Sequence, residues 1–311
     1  MFLNQDKNNL GHWSPVTSII DWCEPNYQHF DTVAETYNTF SSIAYVFVSF
    51  MFLYAAERMY RINSITKDLR QWRIYAEVIS SLVVGVGTYL FHMTLLRENQ
   101  MLDEISMNSL ILLHIYSMIN MSDDVDTKQE DGKKSLRCFG LFNTTKATIT
   151  AVVCLTLFSV TIAVYDTTIP VVFQTLFGLS ILTAFLLSGY QALKKITNIP
   201  SEYQPYYDNA RKIKIILLSG VFINAMLGFA AWLVDNHSCP NYEHLKLHAV
   251  WHVFTALGGY WWGIFTLYCH SVQRSAQLFA LGKPLTLTKI SWGVFPHVSL
   301  LKVVDPKSKS E

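Results

Sequence analysis

The chain has 311 residues, a formal net charge of +1, and 51% hydrophobic against 15% charged residues. Nucleic-acid binding through a basic surface is excluded, because the charge is balanced and the basic residues sit in short loops beside apolar blocks. Those blocks are long enough to cross a hydrocarbon core, which takes about 20 residues each.

In chain order, residues 1–36 form a segment before the first apolar block. It holds no basic stretch followed by an apolar core, so the first span itself is expected to direct insertion. Asp21, Trp22, Glu24 and Asn26 lie in one short loop, and Glu35 follows just before the block. Hard oxygen donors in a loop with a later carboxylate suit calcium, although the spacing is not that of an EF-hand and a solvated acidic loop is the alternative. Seven spans follow: Tyr37 to Ala56, Trp72 to Leu95, Leu102 to Met121, Ala147 to Val164, Pro170 to Tyr190, Ile213 to Val234 and Leu247 to Cys269. The expected fold is an all-α seven-transmembrane bundle over residues 37–272, with a tail at 273–311. The loop from Ser122 to Lys146 mixes both charge signs around Gly132 and reads as a linker.

Lys and Arg set the orientation, since positively charged loops stay cytosolic. Arg58, Arg61, Lys67, Arg70 and Arg73 mark the first loop, Lys128 to Lys146 the third, and Lys194, Lys195, Arg211, Lys212 and Lys214 the fifth. The N-terminus is therefore expected in the lumen and the C-terminus in the cytosol. Lys307 and Lys309 near that end resemble a dilysine retrieval signal, which implies an endoplasmic reticulum membrane, or a Golgi membrane, and recognition by a coat protein; a solvated charged end is the alternative.

Four ionisable residues lie in or beside the spans: His92, Asp103, His248 and His252. Such residues are costly in a bilayer and mark a functional site by default. The orientation puts all four at the lumenal side, whereas six or eight spans would separate them across the membrane. His248 and His252 are four apart and share a helix face. Three imidazoles with a nearby carboxylate suit catalytic zinc, which needs an open position for water and a base. Thr88 is one turn before His92, so its hydroxyl shares that face; a bond to its own helix backbone is the alternative. The five cysteines are scattered, which argues against a cysteine zinc site. Cys23 and Cys239 are the two on the lumenal side, where an oxidising compartment permits a disulfide. Cys154 and Cys269 lie in spans, and Cys138 is cytosolic.

The chain resembles the alkaline ceramidases, seven-span zinc amidases of the secretory pathway. The resemblance is carried by Thr17 to Glu24 with Asn26, Glu35 and Asn38, by Val84 to Gly87, Phe91 to Leu95 and Gln100 to Glu104. It continues through His248-Ala-Val-Trp-His252, Thr255, Leu257-Gly258, Tyr260 and Trp292 to Pro296. It implies zinc held by His92, His248 and His252, and calcium held by Asp21, the Trp22 carbonyl, Glu24, Asn26 and Glu35. It also implies a disulfide between Cys23 and Cys239. The family usually carries Ser where this chain has Thr88, and the segment between Cys239 and His248 is short for the family.

The implied reaction is hydrolysis of the amide of ceramides, including phyto- or dihydroceramide, to a sphingoid base and a fatty acid. Asp103 would take the proton of an activated water, and zinc and Thr88 would steady the developing oxyanion. The lipid would reach the site laterally from the bilayer. The alternatives are a zinc receptor resembling the progestin and adiponectin receptors, which place the N-terminus in the cytosol, and a catalytically weak ceramidase relative.

Overall fold

A computed structural model of the chain describes residues 11–61, 71–121, 149–151, 153–158, 160, 170–196, 199–293 and 295–304. The Ser122 to Lys146 loop, Cys138, Lys67 and Arg70, part of the expected fourth span and the Lys307/Lys309 pair lie outside them.

The described chain is chiefly helical. A short α1 (Thr36–Ser41) runs into α2 (Ile43–Arg61). Next come α3 (Trp72–Thr94) and α4 (Arg97–Ile119), joined at Leu95, whose left-handed conformation (φ 51°) ends α3. An apolar stretch α5 (Ile149–Phe158) precedes α6 (Pro170–Leu193) and the long α7 (Gln204–Tyr242). α8 (Leu247–Ala280) starts after Lys246, which is also left-handed (φ 49°).

Among the described residues, four helical stretches are long and apolar enough to cross a membrane: Thr36–Arg61, Trp72–Thr94, Phe173–Leu193 and Ser201–Cys239. The chain is therefore read as a membrane protein. Outward-facing Phe50, Ile79, Leu186 and Phe222 are each more than half exposed, which suits contact with lipid rather than water. α4 and α8 are long enough, with 23 and 34 residues. Their apolarity is interrupted by Asp103, Glu104, His114 and Asn108 in α4 and by His248, His252, His270 and Gln273 in α8, all buried. Polar groups that hydropathy counts against a span here face the protein interior, where partners reduce their cost.

The core runs between α2, α3, α7 and α8 around Tyr60, Ile74, Leu217, Phe265 and Tyr268. α8 continues beyond Cys269 to Ala280, and the expected tail then forms a hairpin of β1 (Leu285–Ser291) and β2 (His297–Val304) with a bulge after Leu287. Leu285, Leu287, Ile290 and Val298 are buried in the same core. The hairpin is pinned by Thr286 N–H to Ser275 Oγ (2.8 Å), and Tyr260 and Tyr206 hydroxyls donate to the Pro296 and Thr288 carbonyls (2.8 Å each).

Candidate metal centre

The site is assembled where the N-terminal segment lies on the turn between α3 and α4. A helix leaves its last carbonyls without intrahelical donors, and this segment supplies some. Glu35 N–H donates to the His92 carbonyl (3.0 Å), Ala34 N–H to Met93 (2.9 Å), and Ser18 N–H to Leu95 (3.0 Å). Gln100 of α4 takes the Ile19 N–H at 2.9 Å.

From α3 comes His92, and from the first two turns of α8 come His248 and His252. All three are buried, and their ligand nitrogens lie within 4.8 Å of one another; they are the group of this kind found among the described residues. His92 Nδ1 is hydrogen-bonded to the Glu35 carboxylate. His252 Nδ1 lies 2.8 Å from Ser41 Oγ and 3.1 Å from the Asn38 carbonyl. Such contacts fix a ring's orientation and leave Nε2 free as a ligand. His248 is held differently: its ring stacks on Trp22 with centroids 3.9 Å apart. Its Nδ1 is buried without a hydrogen-bond partner among the described residues. A buried nitrogen without a partner is costly, and a metal ion would satisfy it. The residues present thus fit a metal held by three imidazoles.

Next to His92 on the same face, Thr88 Oγ1 lies 2.5 Å from Asp103 Oδ1 and 2.9 Å from the Val84 carbonyl. Both ends of this pair are buried. Gly87 permits the approach, since a Cβ there would stand 3.1 Å from the backbone N and Cα of Asp103. The hydroxyl and carboxylate expected on one helical hairpin do meet.

The loop residues gather around Glu35. Its Oε1 accepts the Trp22 N–H (3.3 Å) and its Oε2 the Asn38 side-chain amide (3.1 Å). Asn26 Nδ2 lies 3.4 Å from both Asp21 oxygens. Glu24 accepts the backbone N–H of Tyr37 (2.7 Å) and of Asn38 (2.9 Å), capping the first turn of α1. Burial, with the neighbouring Glu35 charge, pushes Asp21 up to about 7. Burial also raises Glu24, and burial with the Glu24 charge raises Glu35 well above the usual carboxylate range. Acidic groups that resist ionising beside one another are the donor set that a hard cation relieves.

Cys23 and Cys239 form a disulfide with Cα atoms 5.3 Å apart. Cys269 is buried and Cys154 half-buried. Sequence reasoning missed Ser41 and Asp235; Asp235 accepts the Cys23 N–H at 3.4 Å. It also assigned Glu35 to the loop without its bond to His92. These partners are 57 to 212 residues apart in sequence, so no local spacing announces them.

The chain is similar over most of its length to several proteins named as alkaline ceramidases, one of them provisionally. The dcd3A protein of Dictyostelium discoideum is 29% identical over 308 residues, covering 91% of this chain and 96% of that one. Alkaline ceramidase 3 of Mus musculus is 28% identical over 306 residues, covering 93% and 94%. Alkaline ceramidase YPC1 of Saccharomyces cerevisiae is 25% identical over 265 residues, covering 81% and 76%. With the family model for ceramidase matching residues 14–295, a stretch that contains the three histidines, the Thr88–Asp103 pair and the whole of the N-terminal loop, the chain belongs to the ceramidase family.

Proposed function

We propose that the protein hydrolyses the amide of ceramides, including phyto- or dihydroceramide, to a free sphingoid base and a fatty acid. The observation that carries this reading is the closure of three buried imidazoles within 4.8 Å of one another, with the buried Thr88–Asp103 pair one helical turn from His92. The ion is zinc. Bound by His92, His248 and His252, it would supply Lewis acidity that polarises the amide carbonyl and brings the pKa of water towards about 7.

Asp103 takes a proton from the attacking water and returns it to the leaving amine. The Thr88 hydroxyl orients Asp103 in the resting site and donates to the oxyanion as it develops. Glu35, Asn38 and Ser41 hold the His92 and His252 rings in register. The extra methyl of Thr88, compared with the serine usual in the family, is buried, Thr88 being 3% exposed, and narrows the space beside the reacting centre. It favours substrates that leave space there.

Calcium is held by Asp21, the Trp22 carbonyl, Glu24, Asn26 and Glu35, and it acts on the position of the loop. Glu35 serves both sites, one oxygen facing the loop and the other His92. The bundle crosses the membrane seven times: α4 and α8, at least about 35 Å long at 1.5 Å per residue, join the four apolar helices, and the expected span from Ala147 to Val164, which contains α5, is the seventh. Arg58 and Arg61 end α2, at the pole opposite the metal centre, which supports a lumenal centre and a cytosolic C-terminus. The lumenal setting suits the disulfide, and the membrane is that of the endoplasmic reticulum or Golgi. Purified protein stripped of metal should lose ceramide hydrolysis and regain it with one equivalent of zinc; hydrolysis that survives stripping contradicts the reading.

A further inference from the structure

A groove of about 720 Å³ runs along the outer side of the bundle between α1 and the start of α8. That volume lies within the roughly 300–1,000 Å³ typical of small-molecule sites. Its walls are apolar: Tyr37 and Phe40 on one side, Val250, Val253 and Phe254 on the other. Phe40 and Val253 are 48% and 42% exposed, so the groove is open laterally. At its lumenal end stands Lys246, whose Nζ is 5.5 Å from the centre of the Tyr37 ring. The left-handed backbone of Lys246 makes it the corner residue before α8, and the walls extend about 12 Å from it along the helix at 1.5 Å per residue. Two carboxylates feel the Lys246 charge, Glu24 and Asp235; neither lines the groove, Glu24 being occupied by the Tyr37 and Asn38 amides and Asp235 by the Cys23 N–H.

The groove is joined to the metal centre by one side chain. Ser41 lines it, and Ser41 Oγ is 2.8 Å from His252 Nδ1. Hydrolysis of a ceramide yields two amphiphiles of opposite charge, a carboxylate and an amine. Lys246, the one lysine among lining residues that also include His29, puts a cation above an apolar trough that attracts the first and repels the second. We propose that this groove binds a long-chain fatty acid, with its carboxylate on Lys246 and its chain between Phe40 and Val253, and so separates the acid product from the sphingoid base. The inference rests on the ceramide-hydrolysing reading for the identity of the ligand.

The test uses the full chain in phosphatidylcholine nanodiscs and a photoactivatable diazirine analogue of palmitate. Labelling should map to residues 36–41 and 249–254, be displaced by palmitate and not by sphingosine, and fall about tenfold in Lys246→Gln, as expected for loss of one charge-assisted contact. Val253→Trp, which fills the trough and leaves the lysine in place, should lower it as well. Labelling spread evenly over lipid-facing helices, unchanged in both variants, or displaced equally by sphingosine overturns the proposal. Because labelling needs no turnover, its failure leaves the enzymatic reading standing. Absence of ceramide hydrolysis in the same nanodiscs overturns that reading separately.

Discussion

Glu35 grips His92 twice: its carboxylate bonds Nδ1 of the ring, and its backbone N–H donates to the His92 carbonyl at 3.0 Å. One residue of the N-terminal loop thus fixes both the end of α3 and the orientation of an expected metal ligand. Outer partners of this kind typically contribute 10–100-fold to metal affinity. Glu35→Gln should therefore weaken zinc by about that factor in a competition titration, while a variant that binds zinc as tightly as wild type would remove Glu35 from the centre.

The proposed mechanism gives Asp103 and Thr88 separable roles. Asp103→Asn should cut turnover by about 10²–10⁴, the usual range for a general acid–base group, with zinc still bound at one equivalent. Thr88→Val should cost about 10²-fold, and Thr88→Ser should retain activity or exceed it. These rates come from sphingoid-base release and metal content from elemental analysis; full activity in Asp103→Asn contradicts the assigned role.

Gly87 sets the distance between α3 and α4. A methyl group there would meet the Asp103 backbone at 3.1 Å. Gly87→Ala should destabilise the fold by about 1–3 kcal/mol through overpacking and should lower turnover by displacing the Thr88–Asp103 pair. A thermal-unfolding midpoint equal to wild type would show that the helices have room to spare.

The disulfide ties residues 216 apart in sequence. It anchors the loop carrying Trp22, which stacks on His248, to the C-terminal end of α7. Loss of a native disulfide commonly costs about 2–5 kcal/mol. Cys23→Ser with Cys239→Ser should lower the unfolding midpoint and weaken zinc binding; an unchanged midpoint would make the link dispensable.

On the proposed calcium reading, a calcium-selective chelator at constant zinc should lower activity reversibly, because a cation would relieve the unfavourable charge of Asp21 beside Glu35. Activity indifferent to a calcium-selective chelator would confine the loop to a structural role.

Much of the site is readable in the sequence because helical periodicity does the work. His248 and His252 must share a face, Thr88 must lie above His92, and a short turn must return the chain to Asp103. The contacts that orient the histidines are not readable, since Ser41, Asn38 and Glu35 reach α3 and α8 only through tertiary packing. Helices α4 and α8 are hard to read by apolarity for the same reason that they matter: their polar residues face inward. The hairpin after α8 is only weakly signalled: Leu285-Thr-Leu-Thr alternates, Lys289-Ile290 breaks the period at the bulge after Leu287, and Thr286 and Thr288 are buried as well. Position after the last span made it read as a tail.

The most direct test of the central claim is mass-spectrometric detection of free sphingoid base released from a panel of ceramides by membranes carrying this protein, beside a His252→Ala control. The account predicts release from at least one ceramide that is lost in the control. No release from any ceramide, with zinc bound at one equivalent, would contradict it.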